Sequence, residues 1–356
     1  MSSMDTKPSN LINGEVFDHE SGLASSFQQA QPFRHVVIDN FLSQEFCDQI
    51  CREFPEFQTS NAFNENDEVG GKATREKVRA LGGAFRKVDD LMKAPDFLAL
   101  VERITGVPEL HYDPFYFGGG THENREGQDL DPHVDFNYHP VSSQHRRLNL
   151  IIYLNPEWDD SWGGSLQLHS DPYREPAHDQ VVTLTPLKNR CVIFETNEHS
   201  WHGFEQICLP DDRKGLSRKS FAVYFYTDLR PAEELAVEHS TVYVERHLPQ
   251  HFVPGLELSE ADLQEVKRLL ARRDQHLKRL YQNIQDQHGQ INELRLSTGS
   301  ALPMSSNGNE GIPAEMEGAV RMIANLRQRI IELESSTSWR LTAPVRAVKR
   351  LLSGKT

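Results

Sequence analysis

Apolar and polar positions change rhythm three times along this chain, and each change marks a different kind of element. Residues 1–30 are rich in Ser, Asn and Gln with no sustained apolar period, which predicts a flexible N-terminal arm. Phe33 to Leu42 is a short β-rich run. Ser43 then reads as a helix cap, with Glu45 and Phe46 opening a helix that Pro55 ends near Phe54. Residues 58–84 are polar and contain Gly. A loop of that length in a compact domain is usually functional or disordered, and it is expected here as a lid over a site. Val88, Leu91, Met92, Phe97, Leu98 and Val101 recur at or near helical spacing, predicting a helix over 88–105.

From Leu110 the period shortens. Runs at 110–118, 148–154, 164–169, 181–185, 190–195 and 220–227 are alternating or β-rich. Asn155-Pro156, Trp162-Gly163-Gly164, Asp171-Pro172 and Lys188-Asn189 punctuate them as turns. Many short strands separated this way predict an antiparallel double sheet or jelly roll, with the earlier helices packed on one side. The expected class is α+β with a mainly β core.

The third change falls near Pro254. Leu263, Val266, Leu269, Leu270, Leu277, Leu280, Tyr281, Ile284, Ile291 and Leu294 recur at spacings of three, four and seven. That pattern fits either an amphipathic coiled coil or a helix docked on its own domain. Residues 297–313 read as a linker, and Met316, Val320, Ile323, Leu326, Ile330 and Leu333 predict a second helix. The segment from Ser338 to Leu352 is basic and amphipathic, with no acid. It reads as a membrane-surface segment or as a solvated tail. The expected organisation is an arm (1–30), a catalytic domain (31–256), a helix or coiled coil (257–296), a linker (297–313), and a second helix with the basic tail (314–356).

Composition narrows the function. A net charge of −14 over 356 residues argues against general nucleic-acid binding. Cys47 and Cys51, four apart on a predicted helix, read as core packing in a reducing compartment, with a metal or redox pair as the alternative. Met1 to Asn13 lacks the apolar stretch of a secretory signal, and no apolar run is long enough to span a bilayer. The expected location is the cytoplasm.

The chemistry concentrates at His133-Val134-Asp135, answered by a lone His202 and by Arg218-Lys219-Ser220. On a strand, residues two apart share a face, so His133 and Asp135 point the same way. A second imidazole from a distant strand would complete two histidines and one carboxylate on one side of a metal. That facial set leaves open positions and suits non-haem Fe(II). Arg218 and Ser220 also share a face, and a guanidinium is suited to bidentate capture of a carboxylate. Tyr153 could add a phenol. His199 is the weaker alternative to His202, and Arg213 competes with Arg218. His139 and His145 read as surface histidines, and Trp158, Trp162 and Trp201 as packing.

The stretch 111–227 resembles the prolyl 4-hydroxylase-like branch of the Fe(II)/2-oxoglutarate dioxygenases. The matching pieces are Asp131-Pro132-His133-Val134-Asp135, Ile151-Ile152-Tyr153-Leu154-Asn155, Trp162-Gly163-Gly164-Ser165-Leu166, Trp201-His202-Gly203 and Ser217-Arg218-Lys219-Ser220-Phe221. The resemblance implies a double-stranded β-helix. It implies His133, Asp135 and His202 on Fe(II), Arg218 on the distal carboxylate of 2-oxoglutarate, and Tyr153 and Tyr116 touching that co-substrate. O₂ would be the second co-substrate and ascorbate a reductant. The interval from His202 to Arg218 is longer than is common there, and residues 209–215 account for it as an extended turn.

The substrate is not written in these residues. Ser338-Trp339-Arg340-Leu341-Thr342-Ala343-Pro344-Val345-Arg346 resembles a C-terminal signature of bacterial surface-polysaccharide glycosyltransferases. That likeness implies a glycan or polysaccharide precursor as substrate. The C-terminal helices would then contact polysaccharide-synthesis proteins at the inner membrane face. The resemblance of the catalytic stretch implies a prolyl residue instead. A non-catalytic scaffold working through the coiled coil, and a homodimer through residues 259–296, complete the readings.

Overall fold

The computed structural model describes residues 8–58, 72–249 and 251–297. The chain divides into two compact units, residues 1–284 and 285–356. The second helix, the linker and the basic tail lie outside the described residues, as does the 59–71 part of the expected lid.

Residues 8–29, expected as part of a flexible arm, are helical. They form α1 (Pro8–Leu11), α2 (Gly14–Asp18) and α3 (Glu20–Gln29). Leu11, Ile12, Val16 and Phe27 are buried in the core, and Arg103 grips Glu20 at 2.7 Å. Few apolar residues suffice here: these four are buried, and the partly buried Phe17 and Leu23 pack against the same core. After β1 (His35–Ile38) comes α4 (Gln44–Glu53). Ser43 stands at its N-cap position, but the hydroxyl donates to the Asn10 carbonyl instead of capping. β2 (Ala73–Arg75) occupies part of the expected lid. The single helix expected over 88–105 is two, α5 (Gly83–Met92) and α6 (Pro95–Thr105). Pro95 has no N–H to continue α5, and its fixed φ suits the first turn of a new helix.

The strands follow as β3 (His111–Tyr112), β4 (Gly120–Asn124), β5 (Leu130–Val134), β6 (His145–Tyr153), β7 (Leu166–His169), β8 (Val181–Leu184), β9 (Cys191–Glu195), β10 (Trp201–Phe204), β11 (Arg218–Thr227) and β12 (Val242–Tyr243). They make two antiparallel sheets. One has seven strands in the order β1-β9-β6-β11-β4-β2, with β3 also on β11. The other has five, in the order β12-β5-β10-β7-β8. This is the expected jelly roll.

Alternation along the central strands divides the labour. Leu148, Leu150, Ile152, Phe221, Val223 and Phe225 point outward and share one apolar cluster with Phe46, Ile50, Phe85, Leu91, Phe97 and Val101 of the helices. Each such buried side chain contributes about 1.5–3 kcal/mol relative to exposure. The intervening residues Asn149, Tyr153, Arg218, Ser220, Tyr224 and Tyr226 share the opposite face, turned toward the smaller sheet. That face is where polar groups gather. Cys47 lies in the helical layer, Cys51 is half-buried against the Leu154 carbonyl, and neither forms a disulfide.

The last described element is α7 (Glu260–Ser297). Ser259 and Asp262 cap it reciprocally: the Asp262 N–H donates to Ser259 Oγ, and the Ser259 N–H donates to Asp262 Oδ2. Up to Ile284 it lies on its own domain through a basic face. Leu263, Leu270 and Leu277, expected as coiled-coil positions, remain exposed.

His35 and His122 are buried and held below the ordinary imidazole range, His35 by burial and His122 by burial and then by the Lys72 cation. In the unfolded chain they protonate near pH 6.5. Below that pH the unfolded state binds protons that the folded state refuses. Stability present above about pH 6.5 is therefore lost as pH falls toward the depressed folded values. Thermal melts of the metal-free protein should show Tm dropping between about pH 7.5 and 5.5, and dropping less in the His35→Gln, His122→Gln double variant.

Candidate active site

β5 and β10 lie side by side, and their register sets His133 directly opposite His202. The two rings are 4.2 Å apart between centroids. β5 ends at Val134, so Asp135 sits one residue beyond the strand, yet it still reaches the two imidazoles. Its Oδ1 is 3.8 Å from His133 Nε2, and its Oδ2 is 3.5 Å from His202 Nε2. One ligand atom from each of the three falls within 4.8 Å of the others.

The two histidines are held alike. His133 Nδ1 meets the Asp131 carbonyl at 2.9 Å, and His202 Nδ1 meets the Ser200 carbonyl at 2.9 Å. A carbonyl only accepts, so each Nδ1 carries the proton and each Nε2 presents a lone pair toward Asp135. Burial lowers both imidazoles, His133 to about 3 and with the facing His202 adding to it. Burial alone would favour a neutral Asp135. The Arg146 guanidinium and a hydrogen bond from Asn149 outweigh it and hold the carboxyl well below its usual range. Two neutral imidazoles and one ionised carboxylate are the protonation state that ligation requires, and the donor set fits Fe(II).

The sequence reading missed Arg146 and Asn149. Arg146 Nη2 and Asn149 Nδ2 each donate to Asp135 Oδ2 at 2.9 Å, leaving Oδ1 free. The two are three positions apart on β6, which would put them on opposite faces of a regular strand. A register shift opposite Phe225 and Tyr226 inserts Arg147 as an extra residue and restores the phase. The Arg146 guanidinium lies 3.6 Å from the Tyr224 ring centroid. No sequence period announces a bulge.

Arg218 opens β11 on the same face. It is 5 % exposed and has no carboxylate partner among the described residues. Its Nη2 donates to the Tyr153 hydroxyl at 3.2 Å, its Nε donates to the Gly164 carbonyl, and Phe204 lies 4.3 Å from its guanidinium carbon. The Gly164 carbonyl reaches Arg218 because Gly163 and Gly164 both take positive φ, and a Cβ on Gly163 would overlap the Gln206 carbonyl. A buried guanidinium without a counter-ion is costly and poised for an anion. Ser220 lies two residues on, opposite Tyr153. Lys72 reaches the same region. It is exposed by accessible area, yet burial is the leading cause lowering its ammonium to about 8, and Asp135, Arg146 and Arg218 feel its charge. That combination fits a side chain lining a walled but open cavity.

The remaining expectations separate. Tyr116 is not brought to this cavity. It packs edge-on against the outward-facing Phe221, and its hydroxyl donates to Asp89 at 3.1 Å, in the helical layer. Arg213 is on the surface with Glu157 and Asp212. His199 is exposed beside Asn197. His139 is not a surface residue: it is buried, 3.3 Å from Asp113. Trp158 and Trp201 are buried in packing clusters.

Residues 119–226 match the sequence model of the 2OG-Fe(II) oxygenase superfamily. Prolyl 3-hydroxylase OGFOD1 of Mus musculus is 26% identical over 209 residues, covering 55% of this chain and 33% of the relative. Its Xenopus laevis counterpart is 35% identical over 79 residues, covering 22% and 15%. The chain thus spans a third or less of the length of these curated relatives. Among solved structures, a Trichoplax adhaerens prolyl hydroxylase, bound to a hypoxia inducible factor peptide fragment, is similar with a TM-score of 0.40 and 15% identity. The similarity covers 61% of this chain and 94% of that one. A Pseudomonas putida prolyl-4-hydroxylase is similar with a TM-score of 0.35 and 16% identity, over 58% and 98%. The family match thus places a stretch similar to the 2OG-Fe(II) oxygenase superfamily over residues 119–226, which hold His133, Asp135, His202 and Arg218.

Arg146→Met keeps the bulk that packs on Tyr224 and removes the donor to Asp135. Mn(II) affinity, measured by calorimetry, should fall about 10- to 100-fold with the far-ultraviolet spectrum unchanged. Affinity equal to wild type would remove Arg146 from the account of the site.

Proposed function

We propose that the protein is an Fe(II)- and 2-oxoglutarate-dependent hydroxylase acting on a prolyl residue of a peptide or protein. One observation carries the catalytic part: the His133–Asp135–His202 cluster lies on the smaller sheet, and Arg218, with no carboxylate partner among the described residues, lies on the inner face of the larger one against Phe204 of β10. The similarity to the two prolyl 3-hydroxylases supports the choice of substrate.

In this reading His133 and His202 offer Nε2, and Asp135 offers Oδ1, to Fe(II). Bound Fe(II) and 2-oxoglutarate supply the oxidation, in which O₂ and the 2-oxo acid give succinate, CO₂ and one oxygen atom inserted into a C–H bond. Arg218 receives the distal carboxylate of the co-substrate and neutralises it. The Tyr153 hydroxyl, already hydrogen-bonded to Arg218, offers that carboxylate a second donor. Phe204 covers the guanidinium and keeps water from competing for it. Arg146 and Asn149 hold the Asp135 carboxylate ionised and at a fixed angle, so that it need not reorganise during turnover.

A second reading, a glycan or polysaccharide precursor as substrate, is favoured by the Ser338-to-Arg346 string. Deleting residues 336–356 should then release the protein from membrane or partner fractions, and unchanged fractionation would count against it. A mass search for a product heavier by one oxygen separates a peptide substrate from a sugar.

Purified protein with Fe(II), 2-oxoglutarate and O₂ should form succinate slowly without added substrate, and His133→Ala should form none. Arg218→Ala should raise KM for 2-oxoglutarate about 30-fold or more, the loss of a buried charged contact of roughly 2 kcal/mol. A wild-type protein that neither binds 2-oxoglutarate nor forms succinate would instead point to a scaffold.

A further inference from the structure

The two metal-facing histidines are backed by different kinds of neighbour. His202 packs on Phe194, a fully buried core residue, at 4.8 Å between ring centroids. His133 packs on Tyr243, its cross-strand partner in β12, with rings 5.1 Å apart and 24° from parallel. β12 is a two-residue strand at the edge of the smaller sheet, and so short an edge has little hold of its own. What holds Tyr243 comes from α7. His276 stacks on the Tyr243 ring at 5.0 Å and 27°, and the Arg279 guanidinium lies 4.2 Å from its centroid.

The rest of that helix face grips the same strands. Arg268 pairs with Asp129 at 2.8 Å, and Arg272 pairs with Asp129 as well. His276 Nε2 is 3.4 Å from Asp131 Oδ2. Arg279 Nη2 donates to the Thr241 carbonyl and Asn283 Nδ2 to Ser240 Oγ, each at 2.8 Å. Arg268, Arg272, His276, Arg279 and Asn283 are spaced by four, four, three and four, one stripe along the helix. Asp131 is also the residue whose carbonyl accepts from His133 Nδ1. That hydrogen bond pins one edge of the imidazole. It does not fix the tilt of the ring, and a flat platform against the ring does.

We infer that Tyr243 is a positioning residue for His133, and that the docking of α7 through His276 and Arg279 sets how tightly the site holds its metal. The inference rests on the oxygenase reading. It makes α7 part of the site: whatever lifts the helix loosens the platform behind one ligand.

The test uses the full chain and Mn(II) as probe, with affinity read by electron paramagnetic resonance. The visible charge-transfer absorbance of the anaerobic Fe(II)–2-oxoglutarate complex is a second readout. Tyr243→Leu should weaken Mn(II) binding about tenfold or more and shift the absorbance, as losing a support behind a ligand does. Tyr243→Phe keeps the flat ring and should stay within about threefold of wild type. His276→Ala should weaken binding, and His276→Phe should restore it. Wild-type affinity in a folded Tyr243→Leu protein, or equal losses in the Phe and Leu variants, would overturn the inference. If Tyr243→Leu does not fold, His276→Ala decides, and unchanged affinity there overturns it. A wild-type protein that binds no Mn(II) would remove the oxygenase reading itself.

Discussion

An ionised carboxylate held largely out of water between two imidazoles is the constraint on which the rest of this structure depends. Asp135 must keep its charge to serve as a ligand, and burial works against that charge. The fold answers with Arg146 and Asn149 of β6, set beside the neutral imidazoles of β5 and β10. β5 and β6 follow one another in the chain, and β10 joins them from far beyond. The β6 bulge lets Arg146 and Asn149 both face inward. The histidines carry the opposite requirement, neutrality, which burial provides, while their Nδ1-to-carbonyl bonds fix the tautomer that leaves Nε2 free to ligate.

The larger sheet lets one set of strands serve two solvents. Its outer face is a plain apolar surface that buries helices α4 to α6, and this packing keeps the sheet stiff. Its inner face is then free to carry Asn149, Tyr153, Arg218, Tyr224 and Tyr226 at a fixed period of two. A rigid scaffold with polar groups on one face is what a preorganised site needs. The smaller sheet is different. Its edge is short, and its hold on His133 passes through Tyr243 to a helix more than a hundred residues further along the chain. The site is thus braced from the core on one side and from α7 on the other.

Much of this was legible from residues alone, for identifiable reasons. His133 and Asp135 are two apart, and alternation needs no tertiary information to put them on one face. Arg218 precedes an unbroken apolar run, which marks a central strand. The helix over 88–105 was legible as apolar spacing, but its break was a matter of one proline. The N-terminal helices were not legible, because each buries only one or two side chains and the polar residues between dominate the composition. Tyr116 illustrates the converse error. It lies near the catalytic stretch in sequence, but it sits in a turn at positive φ that directs it to Asp89 and the outer layer.

The sequence by itself determined the chemistry available: two imidazoles, a carboxylate and a guanidinium on strands whose period of two is set by backbone geometry. Only the tertiary structure decided which groups support them. Arg146 depends on a bulge, the Gly164 carbonyl on a turn meeting a distant strand, and Tyr243 on a helix laid across an edge. Those contacts are long-range, and a local period carries information only about neighbours along one element.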